Sequence, residues 1–133
     1  MEDIKDNHIQ LDAIACIEAR GFLFGTLIAQ RLGVPFIPIR KKGKLPYETV
    51  SYEYDLEYGS SIIEMNIDAV KPGWNVLIHD DLLATGGTAI AAAELIKKFG
   101  NVAGFSFLVD LTFLEGNKKL KAYSDHVLSL IEY

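Results

Sequence analysis

The sequence predicts an α/β protein, a parallel sheet flanked by helices, and three observations carry that prediction. Short apolar runs at residues 13–17, 36–40, 74–79, 102–111 and 127–131 alternate with segments of helical period. Within the third run, Val76-Leu77-Ile78 shows no polar alternation, as expected of a strand buried on both faces. Gly33, Pro35, Pro72, Gly73 and Gly100 punctuate the boundaries between elements. Strands separated by helices imply βαβ units with right-handed crossovers.

The elements follow in order. Residues 13–17 read as a short buried strand. Residues 21–32 read as a helix with Phe24, Leu27, Ile28 and Leu32 on one side. Gly33 stops this helix and Pro35 prevents its continuation. A second strand, 36–40, leads into the basic stretch 41–46. Residues 49–54 alternate aromatic and β-branched with polar side chains, the pattern of a hairpin arm, and 61–67 supply its return. Lys71-Pro72-Gly73 is a turn before the strand at 74–79. A helix from about 87 to 99 places Ala92, Leu95, Ile96 and Phe99 on one face, and Gly100 ends it. A strand at 102–111, a short helical or irregular crossover at 116–123 and a last strand at 127–131 complete the chain.

The 133 residues fit one domain, spanning 1–133, large enough for a hydrophobic core without covalent staples. Cys16 is the single cysteine and lies in an apolar run, so it reads as a buried, inert thiol in a reducing compartment. No apolar stretch approaches the ~20 residues a membrane helix needs, and the charged first ten residues do not resemble a secretory signal. A cytoplasmic location is expected. The net charge of −5 argues against binding nucleic acid across the surface. Four of the 13 basic residues, Arg40, Lys41, Lys42 and Lys44, nevertheless fall within five positions. That cluster suits either a polyanionic small ligand or a solvated loop.

In open parallel sheets, ligands bind beyond the carboxyl ends of the strands. That rule places residues 18–21, 40–44, 80–88 and 110–112 along one rim. The segment from Val76 to Thr88 is a strand, then Asp80 and Asp81, then the loop Ala84-Thr85-Gly86-Gly87-Thr88, then a helix. Glycines let backbone approach a ligand closely. A helix start offers unpaired N–H groups and a partial positive charge, a natural seat for a phosphate. The hydroxyls of Thr85 and Thr88 can donate to the same oxygens. No lysine follows the second glycine, so this is not a Walker loop. Asp80 and Asp81 are placed to accept from sugar hydroxyls, or to help hold Mg²⁺ directly or through water. Being adjacent on a strand, they point to opposite faces and are expected to differ in role. The competing reading is an acidic surface turn with Thr85 or Thr88 capping the helix. His79 reads as a satisfied structural histidine, and Trp74 and Phe105 as core.

The nine residues from Asp80 to Thr88 resemble the phosphoribosyl pyrophosphate motif of type I phosphoribosyltransferases, in the form carried by the adenine-specific branch. Hypoxanthine-guanine relatives typically have an acid where Ala84 stands, which serves there in proton transfer to the base. Three further stretches resemble the same family. Glu-Ala-Arg-Gly-Phe-Leu-Phe-Gly at 18–25 is similar to its pyrophosphate loop, which works through the arginine, here Arg20, and often contains a non-proline cis peptide. Arg-Lys-Lys-Gly-Lys-Leu-Pro at 40–46 is similar to the next element, adding Arg40 and Lys44. Tyr-Asp-Leu-Glu-Tyr-Gly at 54–59 is similar to the end of the catalytic loop, whose glutamate, here Glu57, handles a purine proton beside Tyr58.

The resemblance runs from about Asp12 to Tyr133 and implies a Rossmann-like type I fold with a flexible hairpin loop. It implies catalysis by Glu57, Arg20 and Arg40. Substrate would be held by Asp80, Asp81, Ala84, Thr85, Gly86, Gly87, Thr88, Lys44 and Tyr58. The implied partners are adenine, phosphoribosyl pyrophosphate, AMP and pyrophosphate, with Mg²⁺ as cofactor and a homodimer as the assembly. The family also carries a hood segment ahead of the position of Asp12, which contacts the base. The eleven residues before Asp12 are too short and polar to replace it, so the hood is expected to be missing. Expected consequences are looser base specificity and uncovered apolar surface. The alternatives are a transferase for another base and a non-catalytic regulator that binds phosphoribosyl pyrophosphate.

Overall fold

The structure, a computed structural model, describes residues 10–56 and 59–133. Seven strands form one sheet: β1 (Ala13–Ile17), β2 (Phe36–Lys41), β3 (Thr49–Leu56), β4 (Gly59–Asn66), β5 (Asn75–Leu83), β6 (Asn101–Asp110) and β7 (Val127–Glu132). Three α-helices accompany them: α1 (Gly21–Leu32), α2 (Gly87–Lys97) and α3 (Gly116–Leu120). The spatial order is β3-β4-β2-β1-β5-β6-β7. Strands β2-β1-β5-β6-β7 pair in parallel. The hairpin β3-β4 joins their edge through an antiparallel contact that sets Arg40 opposite Glu64. The hairpin arm is therefore an extension of the sheet rather than a separate appendage.

Burial follows the strand period of two. On β1, Ala13, Ala15 and Ile17 join the larger core with α2, while Ile14 and Cys16 face the smaller core under α1. On β5, Val76 and Ile78 go with the first core and Leu77 with the second. Phe105 and Phe107 of β6 are fully buried against the α2 side. Phe105 is core, as expected; Trp74 is only partly buried, with the Lys71 ammonium 5.6 Å above its ring. Burial pushes the Cys16 thiol up to about 12, so it is an inert packing group.

Helix α1 meets the sheet through its small residues. Gly21, Gly25 and Ala29, spaced by four, are buried. A Cβ on Gly25 would stand 2.2 Å from the Cys16 Sγ, so only glycine permits this approach. Phe24 and Leu27 are on the outer side, 46% and 56% exposed, and Leu23 is 69% exposed. The helix ends as expected, with Gly33 at φ 68° returning its N–H to Ala29 and Gln30.

The largest departure from expectation lies in β5, which continues to Leu83 instead of stopping at residue 79. β6 runs alongside as far as Asp110, and Leu83 pairs with it, so the backbone of residues 80–83 keeps a sheet partner. Asp80 and Asp81 are thus strand residues, held rigidly at the carboxyl rim.

Candidate active site

The order in which strands are added reverses at the centre of the sheet. β1 leads through α1 to β2 on one side, while β5, its neighbour on the other, leads through α2 to β6. Loops leaving β1 and β5 separate there, and the crevice between them is where such sheets bind ligands. A cavity of about 200 Å³ opens at this point, lined by Glu18, Arg20, Arg40, Tyr54, Asp80 and Asp81 among others. A second hollow of about 80 Å³ lies against residues 82–89 and shares Asp80 and Thr88 with the first.

The smaller hollow is built by backbone. Gly86, at φ 93°, turns the chain into α2. The first helical bond runs from the Ile90 N–H to the Gly86 carbonyl, leaving the N–H groups of Gly87, Thr88 and Ala89 without helical acceptors. No side chain caps the helix and no acid sits in its first turn. The competing reading of Thr85 or Thr88 as a cap is thereby removed. The positive end of the dipole is open for an anion. The Thr88 hydroxyl donates instead to the Tyr54 hydroxyl of β3, at 3.3 Å. Beneath the loop, Gly116 packs so tightly that a Cβ there would lie 2.4 Å from the Ala84 carbonyl oxygen.

The larger cavity is a field of opposed charges. Arg20 Nε lies 3.0 Å from Asp81 Oδ2, with the arginine 73% exposed. Glu18, whose side chain is 7% exposed, gathers Arg40 at 3.3 Å and Lys44 at 3.1 Å. It also accepts from the Lys41 backbone N–H. Burial alone would raise the Glu18 carboxyl, but the Lys41 amide, Lys44 and Arg40 outweigh it and hold it below its usual range. Asp80 behaves oppositely. Burial first, and then Asp81 beside it, push its carboxyl up to about 7, against the opposing pull of the Asp81 N–H and Arg20. Both aspartates line the same cavity, so adjacency on the strand does not part them as fully as alternation suggested. Their partners differ: Asp81 holds Arg20, while Asp80 accepts from the Asp81 N–H at 2.8 Å. The Glu18–Ala19 peptide between the two charge systems is cis.

The chain as a whole, rather than this site alone, is similar to known proteins. The model of the phosphoribosyl transferase domain matches residues 1–123. An adenine phosphoribosyltransferase of Cytophaga hutchinsonii is 60% identical over 126 residues, covering 94% of this chain and 70% of that protein. The crystal structure of adenine phosphoribosyltransferase from Thermoanaerobacter pseudethanolicus superposes with a TM-score of 0.92 at 52% identity, covering 99% of this chain and 77% of the other. The chain belongs to the adenine phosphoribosyltransferase family. A more distant member, from Trypanosoma brucei, was solved in complex with AMP, pyrophosphate and ribose-5-phosphate. It has a TM-score of 0.87 at 26% identity, over 98% of this chain and 60% of that one.

The fold thus brings Arg20, Arg40, Asp80, Asp81 and Thr88 to the larger cavity, and Ala84, Thr85, Gly86 and Gly87 to the adjoining hollow. Lys44 reaches the same place through Glu18. Glu57 and Tyr58 lie outside the described residues. His79 corrects the expectation of a satisfied histidine. It is fully buried with Nδ1 3.4 Å from the Ser106 hydroxyl, yet Nε2 has no partner among the described residues. Burial, outweighing Ser106 and Asp81, lowers its pKa, so it stays neutral. Sequence reasoning missed the part played by Glu18 as internal counter-ion. An acid at the end of a buried strand, in a chain with a separate cation cluster, was the available signal. It also missed Tyr54 as the group that meets the helix start; nothing in the pattern of β3 marks that tyrosine.

Proposed function

We propose that this chain transfers the phosphoribosyl group of phosphoribosyl pyrophosphate to adenine, giving AMP and pyrophosphate, as its family's name describes. The observation that carries the reading is the single crevice where the uncapped start of α2, the Asp80–Asp81 pair and the Arg20/Arg40/Lys44 cations converge. A 5′-phosphate seats on the N–H groups of residues 87–89 and the threonine hydroxyls. The ribose hydroxyls face Asp80 and Asp81. Lys44 helps hold the pyrophosphate group of the bound substrate, and Arg20 and Arg40 stabilise the charge that develops on it as it departs. As the C1′–O bond breaks, N9 of adenine bonds to C1′ from the opposite face, and Glu57 takes or relays the purine proton. Exclusion of water from the crevice matters for this reaction, because water would otherwise consume the substrate.

Mg²⁺ fits this arrangement. No cluster of three or more acidic, histidine or cysteine side chains stands ready to cage a cation among the described residues. Two carboxylates beside a polyphosphate seat are the donor set that hydrated Mg²⁺ uses. Asp80 and Asp81 would hold it through water, and when bound it neutralises pyrophosphate charge.

A homodimer and a cytoplasmic location belong to the same reading. The dimer is supported by the exposed Leu23, Phe24 and Leu27 on α1, which directly follows the Arg20 loop. The location is supported by the single, buried Cys16.

The test incubates the purified chain with Mg²⁺, phosphoribosyl pyrophosphate and either adenine or hypoxanthine, and quantifies nucleotide. AMP alone, abolished by Glu57→Ala, is the expected result. No nucleotide with retained binding of phosphoribosyl pyrophosphate would make the chain a regulator. IMP formation at a comparable rate would remove the assignment to adenine. Sedimentation of wild type against Leu27→Glu tests the dimer.

A further inference from the structure

Glu64 belongs to none of the four motifs, yet it is among the few charged side chains the fold buries, at 5% exposure. Its neighbours on β4, Ile63 and Met65, are core residues. Glu64 points to the other side of the sheet, into the turn that follows β2. There Oε1 accepts from the backbone N–H of Gly43 at 3.0 Å and of Leu45 at 3.3 Å. Oε2 accepts from the Thr49 hydroxyl at 3.2 Å. Three donors from one seven-residue segment converge on a single carboxylate. The two amides flank Lys44, and Gly43 separates it from Lys42.

We propose that Glu64 is a positioning residue for pyrophosphate recognition: its buried carboxylate fixes the backbone of residues 43–45, and so aims Lys44 at the leaving group. The proposal rests on reading the larger cavity as the pyrophosphate side of the site. A buried carboxylate is costly unless its oxygens are satisfied, and here the backbone of the lysine loop satisfies them. The dependence is mutual. Without the carboxylate, the Gly43 and Leu45 amides lose their acceptor and the loop between two strands loses its internal brace. Lys44 then reaches the Glu18 cluster only as one of many rotamers of a looser loop. Other anchors hold the ends of the segment rather than its centre. Lys42 N–H donates to the Ile62 carbonyl at 3.0 Å, and Asn66 donates to the Pro46 carbonyl at 2.6 Å.

Glutamine at position 64 keeps an acceptor for both amides, whereas alanine removes it. Steady-state kinetics of the full chain with varied phosphoribosyl pyrophosphate separates positioning from mere support. A poorly folded fraction lowers kcat and leaves KM alone, whereas a misaimed loop raises KM. Glu64→Ala is expected to raise KM about tenfold with kcat within about twofold, the size of one lost charge-assisted acceptor. Glu64→Gln is expected to restore most of that. An unchanged KM in Glu64→Ala, or a fall in kcat and melting temperature alone, overturns the proposal and leaves the proposed activity standing. If the wild type makes no AMP, the activity reading fails by itself. Calorimetric titration with magnesium pyrophosphate then decides: about tenfold weaker binding in Glu64→Ala upholds the role of Glu64. Equal binding, or none by the wild type, overturns it.

Discussion

The Thr88 hydroxyl, at the head of α2, donates to the Tyr54 hydroxyl of the β3 arm across 3.3 Å. Thirty-four positions apart in sequence, these groups tie the hairpin to the phosphate seat. A phosphate arriving at the helix start competes for the same proton. Tyr54→Phe keeps the ring packed against the core, where the tyrosine is partly buried, and frees Thr88 to meet the ligand. We expect ribose-5-phosphate to bind about threefold to tenfold more tightly to this variant by calorimetry, the net value of one neutral hydrogen bond. Weaker binding would mean that Tyr54 itself contacts the phosphate.

Asp80 makes the site sensitive to pH. Its folded pKa of about 7 stands above the ordinary 3.8, mainly through burial. The folded chain therefore retains a proton that the unfolded chain releases between those values. The stability this contributes is fully present below about pH 4 and is lost as pH rises through about 7. Thermal melts of the ligand-free chain across that window are expected to show this loss, and Asp80→Asn to flatten it. In kinetics the sign reverses. Sugar hydroxyls and hydrated Mg²⁺ need the ionised form, so KM for phosphoribosyl pyrophosphate is expected to fall as pH rises through 7. A KM flat across neutrality would separate Asp80 from substrate binding.

Gly116 is a structural support for the phosphate loop. A methyl group there would press on the Ala84 carbonyl at 2.4 Å and the Leu83 side chain at 2.9 Å. The Leu83 tip can turn aside, but the Ala84 carbonyl is backbone and cannot yield without moving the loop that β5 leads into. Gly116→Ala is expected to cost about 1–3 kcal/mol in chemical unfolding. It should also raise KM for phosphoribosyl pyrophosphate, because the displaced backbone is the seat itself. Wild-type KM in a destabilised variant would show that the loop absorbs the methyl elsewhere.

The sheet was legible because each parallel strand is dominated by apolar residues, and the phosphate loop because glycines and threonines sit where a strand meets a helix. Less legible was what depends on pairing at long range. Nothing local reveals that β5 extends past His79, since that follows from β6 running alongside to Asp110. The orientation of α1 also eluded the pattern. Large apolar residues lie on both sides, with Phe22, Ile28 and Leu32 packed inward and Leu23, Phe24 and Leu27 outside, while a stripe of glycine and alanine makes the closest contact. Periodicity measures where apolar residues lie, not how near two backbones come. Individual site residues emerged through family resemblance more than chemistry, because Arg20 or Lys44 alone is indistinguishable from a solvated surface charge. The partners that give them meaning, Glu18 and Asp81, are brought together only by the crevice.

Arg20 offers the sharpest separation between folding and chemistry. Its side chain is 73% exposed, and its ion pair with Asp81 spans 3.0 Å at the mouth of the site. A pair that open contributes about 0–1 kcal/mol to stability, because water and salt screen it and the long side chain loses freedom in forming it. Charge developing on departing pyrophosphate is a different demand, met inside the crevice. A preorganised donor there is worth about 10²–10³ in rate. Arg20→Gln is therefore expected to melt close to the wild type while losing about two to three orders of magnitude in kcat for AMP formation. Arg20→Lys should recover little, since a single ammonium cannot reproduce the planar fork of donors. Parallel losses of stability and rate would instead assign Arg20 to holding the start of α1 in place. Full activity in Arg20→Gln would leave Arg40 and Lys44, gathered by Glu18, to receive the pyrophosphate charge alone.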